Sequence, residues 1–167
     1  MRIAQAAFNV LVFNPFTFGA DWAWGVPLIV LTVVIHVVGL GVVSQIAVHA
    51  YSRMIKHRHA TEVLVVVMGV TTLLAICLHA IEAAIWAAAY LLLGALPDSR
   101  TSLVYSLNAI TSYGHTNLSL EAHWQLMGSL EALNGWLLFG LTTAVLFAVI
   151  QKVWLLGSGR GHGDASM

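Results

Sequence analysis

The chain has 167 residues, of which 59% are apolar and only 8% charged, whereas soluble domains carry about a quarter charged residues. Such a composition excludes an ordinary water-soluble domain and leaves room for one small membrane domain. A formal net charge of zero argues against a nucleic-acid partner, and the single Cys77 excludes an intrachain disulfide.

Residues 1–26 include "FNVLVFNPFTFGADWAWG", rich in Phe and Trp and broken by Pro15 and Gly19. They read as an N-terminal interfacial segment with its rings at headgroup level. A signal peptide is the rival reading of residues 1–20, against which stand a poor cleavage site and Arg2 as the lone basic residue. A membrane span needs about 20 apolar residues to cross a core of about 30 Å. Three runs meet that length, at residues 27–51, 63–96 and 126–156. The loop "YSRMIKHRHATE" between the first two carries Arg53, Lys56 and Arg58, which assigns it to the cytoplasm. Lys152 and Arg160 then fall on the same side, so the C-terminus is expected inside, with the N-terminus and residues 97–125 outside. Residues 157–167, "GSGRGHGDASM" with Leu156 before them, form a glycine-rich, flexible tail.

Between the second and third spans, Pro97 is followed by Asp98 or Ser99 as a helix cap and by Leu103, Val104, Leu107 and Ile110 at helical spacing. This predicts a helix of about three turns, too short to cross the bilayer, followed by the polar run "TSYGHTNLSL". Irregular backbone at membrane depth is tolerated only where it is buried in protein or lines a water-filled cavity. One hairpin cannot enclose a cavity, so several chains are expected to pool theirs around an axis.

From residue 62 to 156 the succession of long helix, short helix, T-x-x-G loop, Trp124 and "LEALNGWLLFG" resembles small prokaryotic members of the potassium-channel family, which are tetrameric pore-loop cation channels. The resemblance implies an all-α membrane protein with three transmembrane helices, a re-entrant pore helix at 99–112, a filter-like loop at 111–117 and an inner helix at 126–156. The run at 27–51 becomes an extra outer helix added to the pore module at 62–156. It further implies a homotetramer in the plasma-membrane bilayer, acting as a channel and not as an enzyme. No cofactor or resident metal is implied beyond K+ or Na+ as permeating ions.

The filter positions are Thr111, Ser112, Tyr113, Gly114, His115, Thr116 and Asn117. Gly114 matches the first family glycine, while Thr116 stands at the second, His115 at the family tyrosine and Asn117 at the family aspartate. A second register pairs Tyr113-Gly114 with the family's Tyr-Gly, at the cost of a deletion and of the first glycine. In the gapless register Thr111 offers a hydroxyl ring at the inner end, with the carbonyls of Ser112 and Tyr113 above it. A β-branched Thr116 disfavours the left-handed backbone of the outer half, so monovalent cations are expected to pass with weakened potassium selectivity. Protonation of a His115 ring near an ordinary pKa of about 6.5 would repel cations at the mouth; alternatively His115 only hydrogen-bonds within the loop.

Ionisable groups inside the spans are His36 in the first, His79 and Glu82 in the second and Glu131 in the third. His79 and Glu82, three apart, share a helix face, and helical rise puts His36 and Glu82 at similar depth. A polar tie between antiparallel helices is expected, with a proton path as the other reading. Glu131 either buttresses the filter loop through Ser112 or Asn117 or faces water and attracts cations. By resemblance, Gly140 is the place of a gating hinge, and Thr142, Thr143, Leu146 and Ile150 line the cavity and its inner constriction. Two other functions stay open: a non-conducting channel relative acting as a scaffold, and a bis-histidine haem or metal site with His36 and His79 as the axial pair. No nucleophile, base and oxyanion donor can be grouped, so no catalytic residues are expected.

Overall fold

The structure is a computed structural model that describes residues 15–56, 59–114 and 118–158. Among these, every regular element is a helix: α1 Pro15–Met54, α2 Ala60–Leu92, α3 Ser99–Ile110 and α4 Gln125–Ser158, with a single 3-10 turn at Ala122–Trp124 before α4. Three of the helices are long and apolar enough to cross a membrane, over Gly19–Met54, Ala60–Leu92 and Ala122–Leu155. The interfacial residues before Pro15, the basic loop residue Arg58, the filter positions His115, Thr116 and Asn117, and the tail from residue 159 lie outside the described residues.

One expectation is corrected at the N-terminal side. Residues 15–26 are not a separate broken segment but the first turns of α1. Pro15 opens the helix, where its missing N–H would have had no intrahelical partner and its fixed φ suits the first turn. Pro27 sits inside the same helix and removes one hydrogen bond, a loss that membrane helices accommodate more readily than soluble ones. The second run also stops earlier than its hydropathy implies, at Leu92 instead of Leu96.

The chain divides into two compact units. The first comprises the stretch up to Leu31 together with Ala83–Gly135. Its core gathers Trp86 and Tyr90 of α2, Tyr105 and Ala109 of α3, and Leu120, Trp124, Met127 and Leu130 around the start of α4. Tyr90 and Tyr105 meet edge-to-face, with centroids 5.3 Å apart and planes at 83°, the geometry that the ring quadrupoles favour. α2 ends in a Schellman turn: Ala95 N–H donates to Tyr90 O at 2.9 Å and Gly94 N–H to Leu91 O at 3.2 Å. Gly94 takes the left-handed conformation that this turn requires, with φ +66°.

α3 starts at an Asp98 cap. The carboxylate accepts from Thr101 N–H at 2.9 Å and from Thr101 Oγ1 at 2.7 Å, while the Asp98 carbonyl accepts from Ser102 N–H at 3.0 Å. These donors, the Thr101 amide first and its hydroxyl second, hold the Asp98 carboxyl below its ordinary value. A depressed carboxyl contributes stability above its unfolded pKa and loses it as the pH falls through the folded value. The Thr101 amide is therefore expected to be protected from hydrogen exchange at neutral pH and to lose that protection in acid. Asp98→Asn, which caps without titrating, is expected to keep the protection in acid, and identical acid profiles for both proteins would refute the cap.

The second unit comprises Thr32–Glu82 and the chain from Trp136. Here each long helix supplies two core residues one turn apart: Ala47 and Tyr51 from α1, Val63 and Val67 from α2, and Val149 and Val153 from α4. A smaller cluster of Leu40, Ala75 and Leu78, with Leu141 and Val145 packed on it, lies beside a polar group described below. Val34, Val37, Val38, Val65, Leu73, Phe139 and Phe147 are exposed, as lipid-facing positions of membrane helices are.

Candidate functional site

Two places bring together the polar residues of an otherwise hydrocarbon chain. The first, within the first unit, is the short helix and the loop after it. The chain enters this hairpin from Leu96 and returns through Leu120 and Trp124 to the start of α4. Its tip lies well along that helix. A Cβ at Gly135 would sit 1.9 Å from the carbonyl oxygen of Ile110, the last residue of α3. Gly135 is ten residues beyond Gln125, so the tip reaches about 15 Å along α4, roughly half a hydrocarbon core.

The end of α3 is a second Schellman turn. Tyr113 N–H donates to Asn108 O and Ser112 N–H to Ala109 O, both at 2.9 Å, and Ser112 takes the left-handed role with φ +54°. Serine there is strained where Gly94 is not. Thr111 is the C-cap and its hydroxyl donates back to Leu107 O at 2.6 Å, so in this conformation the hydroxyl is tied to its own helix. Thr111, Ser112, Tyr113 and Gly114 are all exposed, Tyr113 to 85%, and Gly114 has φ +92°.

Glu131 is fully buried. Tyr90 donates its hydroxyl to Glu131 Oε2 at 2.6 Å, and Ser106 of α3 donates to Glu131 Oε1. Ser106 Oγ also lies 2.7 Å from the Ala83 carbonyl. The carboxyl thus ties α4 to α2 through Tyr90 and to the middle of the short helix through Ser106.

The second place lies in the second unit. His36 Nδ1 is 2.7 Å from Glu82 Oε1 and His36 Nε2 is 2.9 Å from Thr142 Oγ1. His79 Nε2 is 3.1 Å from the same Thr142 oxygen, and its Nδ1 is 3.4 Å from Glu82 Oε2. His36 and Glu82 are fully buried, Thr142 is buried, and His79 is 27% exposed. Sequence spacing identified His36, His79 and Glu82, and Thr142, expected to line the pore cavity, is the fourth member of this cluster. Its neighbour Thr143 is an equal candidate in the sequence, and no signal there separates the two. In the structure Thr143 is exposed and its hydroxyl donates back to Phe139 O at 2.9 Å.

Among the remaining expected positions, Gly140 is exposed with nothing within 4 Å of a Cβ, Ile150 is exposed and Leu146 is half-buried. No family model matches the chain, and comparison with curated proteins and with solved structures finds none that matches. The class that the described residues define is an all-helical, multi-pass membrane protein, with three helices long and apolar enough to cross a bilayer.

Proposed function

We propose that the chain is a pore-loop ion channel of the potassium-channel type, assembled as a homotetramer and passing K+ and Na+ with weak discrimination. The observation that carries this reading is the exposed turn Thr111–Gly114 at the tip of a helix that reaches about halfway along a spanning helix. Polar, non-helical backbone at that depth cannot face lipid. Further copies of the chain around an axis would enclose it in protein and water. The C-terminal end of α3 then points its partial negative charge toward the enclosed space, where it favours cations. Strained left-handed backbone at Ser112 fits a segment whose conformation is held for function.

In this reading Thr111, Ser112, Tyr113 and Gly114 form the described part of the filter, and Gly140, Leu146 and Ile150 are left for the inner pore. The loop between α1 and α2 then faces the cytoplasm of a plasma-membrane protein, which the basic residues Arg53 and Lys56 support. The test is ion flux in liposomes under a potassium gradient and then a sodium gradient. Flux with both ions is expected, and Gly114→Ala, which puts a side chain on a φ that disfavours one, is expected to abolish it. Absence of flux from protein shown to be tetrameric would replace the channel by a non-conducting relative, and strong selectivity for potassium would remove the weak-discrimination claim.

A further inference from the structure

The four polar pairs in the cluster of the second unit each need one proton to be a hydrogen bond. They are His36 Nδ1 with Glu82 Oε1, His36 Nε2 with Thr142 Oγ1, His79 Nε2 with Thr142 Oγ1, and His79 Nδ1 with Glu82 Oε2. Two neutral imidazoles and one hydroxyl supply three protons, and an ionised carboxylate supplies none. One pair is then left with two lone pairs facing each other, in a buried group of net charge −1. The geometry shows which pair that is: His79 Nδ1 and Glu82 Oε2 are 3.4 Å apart, and Glu82 Oε2 is buried with no hydrogen-bond partner. A buried carboxylate oxygen without a donor is costly, and a cation beside it removes the cost.

We propose that His36, His79 and Glu82 form a binding site for a divalent first-row transition-metal ion of the zinc class, with Thr142 supporting both imidazoles from behind. One ligand atom from each of the three residues lies within 4.8 Å of the others. Zinc–nitrogen and zinc–oxygen bonds of about 2.0–2.2 Å put tetrahedral ligand atoms roughly 3.3 Å apart. The two imidazole–carboxylate separations, 2.7 Å to Oε1 and 3.4 Å to Oε2, lie either side of that value, and a metal ion would draw the three ligand atoms, now within 4.8 Å, to it. Two imidazoles and a carboxylate suit zinc and its neighbours better than magnesium or calcium, which prefer oxygen alone.

Thr142 makes the assignment specific. If both Nδ1 atoms hold the ion, both Nε2 atoms must carry hydrogen, and both face Thr142 Oγ1, at 2.9 and 3.1 Å. A hydroxyl oxygen has two lone pairs, one for each N–H. This is the outer-shell support that metal-binding histidines use to fix their tautomer and orientation. A fourth, exogenous ligand completes a tetrahedral set, and the partly exposed His79 marks the side of the cluster open at the surface of the chain. Haem does not fit the same pair, because rings with centroids 4.9 Å apart and tilted by 51° leave no slot for a macrocycle between them. The site lies in the second unit, and its failure or success is independent of whether the loop of the first unit conducts.

The test uses the full chain purified without a polyhistidine tag, stripped with chelator and titrated with Co2+. Expected are the visible absorption bands of four-coordinate cobalt, saturating at one Co2+ per chain and lost on addition of Zn2+. His79→Gln and Glu82→Gln are expected to abolish the bands, while His59→Gln leaves them. Thr142→Val is expected to keep the stoichiometry and weaken the affinity roughly 10- to 100-fold, with Thr142→Ser restoring it. Absence of cobalt bands from the folded wild-type chain would overturn the proposal and leave a proton as the cation of the cluster. Bands that survive both His79→Gln and Glu82→Gln would overturn it equally, and the wild-type titration decides the matter should either variant fail to fold.

Discussion

Gly135→Ala is expected to unseat the short helix from α4. The added Cβ would lie 1.9 Å from the Ile110 carbonyl oxygen and 2.8 Å from its carbon. Both atoms belong to backbone, which cannot swing aside as a side-chain tip can. Overpacking of this kind costs about 1–3 kcal/mol and more when backbone must move. Alanine's better helix propensity returns at most about 1 kcal/mol, so the clash wins. Gly140→Ala on the same helix provides the contrast, since a Cβ there meets nothing within 4 Å, and it is expected to be neutral or stabilising by up to about 1 kcal/mol. Thermal unfolding of the two variants in the same detergent measures the difference. Equal midpoints would mean that α3 does not rest on Gly135, and the depth assigned to the loop would fall with it.

Removing the Glu131 carboxyl is the second large effect. Glu131→Ala empties a fully buried position and takes the acceptor from Tyr90, whose hydroxyl is equally buried. Ser106 fares better, because the Ala83 carbonyl 2.7 Å away can still accept its proton. One orphaned donor costs about 1–3 kcal/mol, to which the cavity adds, so a loss of roughly 2–4 kcal/mol is expected. Hydrogen bonds between membrane helices average less than this; here the orphan is fully buried, with no alternative partner supplied by solvent. Glu131→Gln keeps a carbonyl oxygen for Tyr90 and donates its amide N–H to Ser106 Oγ, whose own proton goes to the Ala83 carbonyl, and is expected to cost about 1 kcal/mol or less. Tyr90→Phe added to Glu131→Ala removes the orphan and is expected to recover part of the loss. Strictly additive effects in that cycle would refute the Tyr90–Glu131 bond.

The two variants act on one piece of architecture. Gly135 lets the end of α3 approach α4, and Glu131 grips the middle of the same helix through Ser106. Together they hold the turn at Thr111–Gly114 deep beside a spanning helix. Loss of either is expected to remove flux along with stability, whereas Gly140→Ala separates folding from any hinge role at that glycine.

Much of this chain could be read without its tertiary structure, because the features involved are local. Apolar runs longer than the bilayer core mark α1, α2 and α4, and Asp98 before an apolar stripe marks the start of α3. Helical rise alone placed His36 and Glu82 at similar depth, and the two side chains meet at 2.7 Å. Proline and glycine misled at the N-terminal side, where Pro15 opens α1 and Pro27 is carried inside it. The rotation of each helix about its own axis was not legible. A helix that is apolar all round has no stripe to say which face turns inward, so nothing in the sequence showed that Thr142 faces His36 and His79 while Thr143 faces away. Glu131 found Ser106 and Gly135 found Ile110 for the same reason. Composition and periodicity determined what crosses the membrane, and only packing determined which polar atoms within the spans meet.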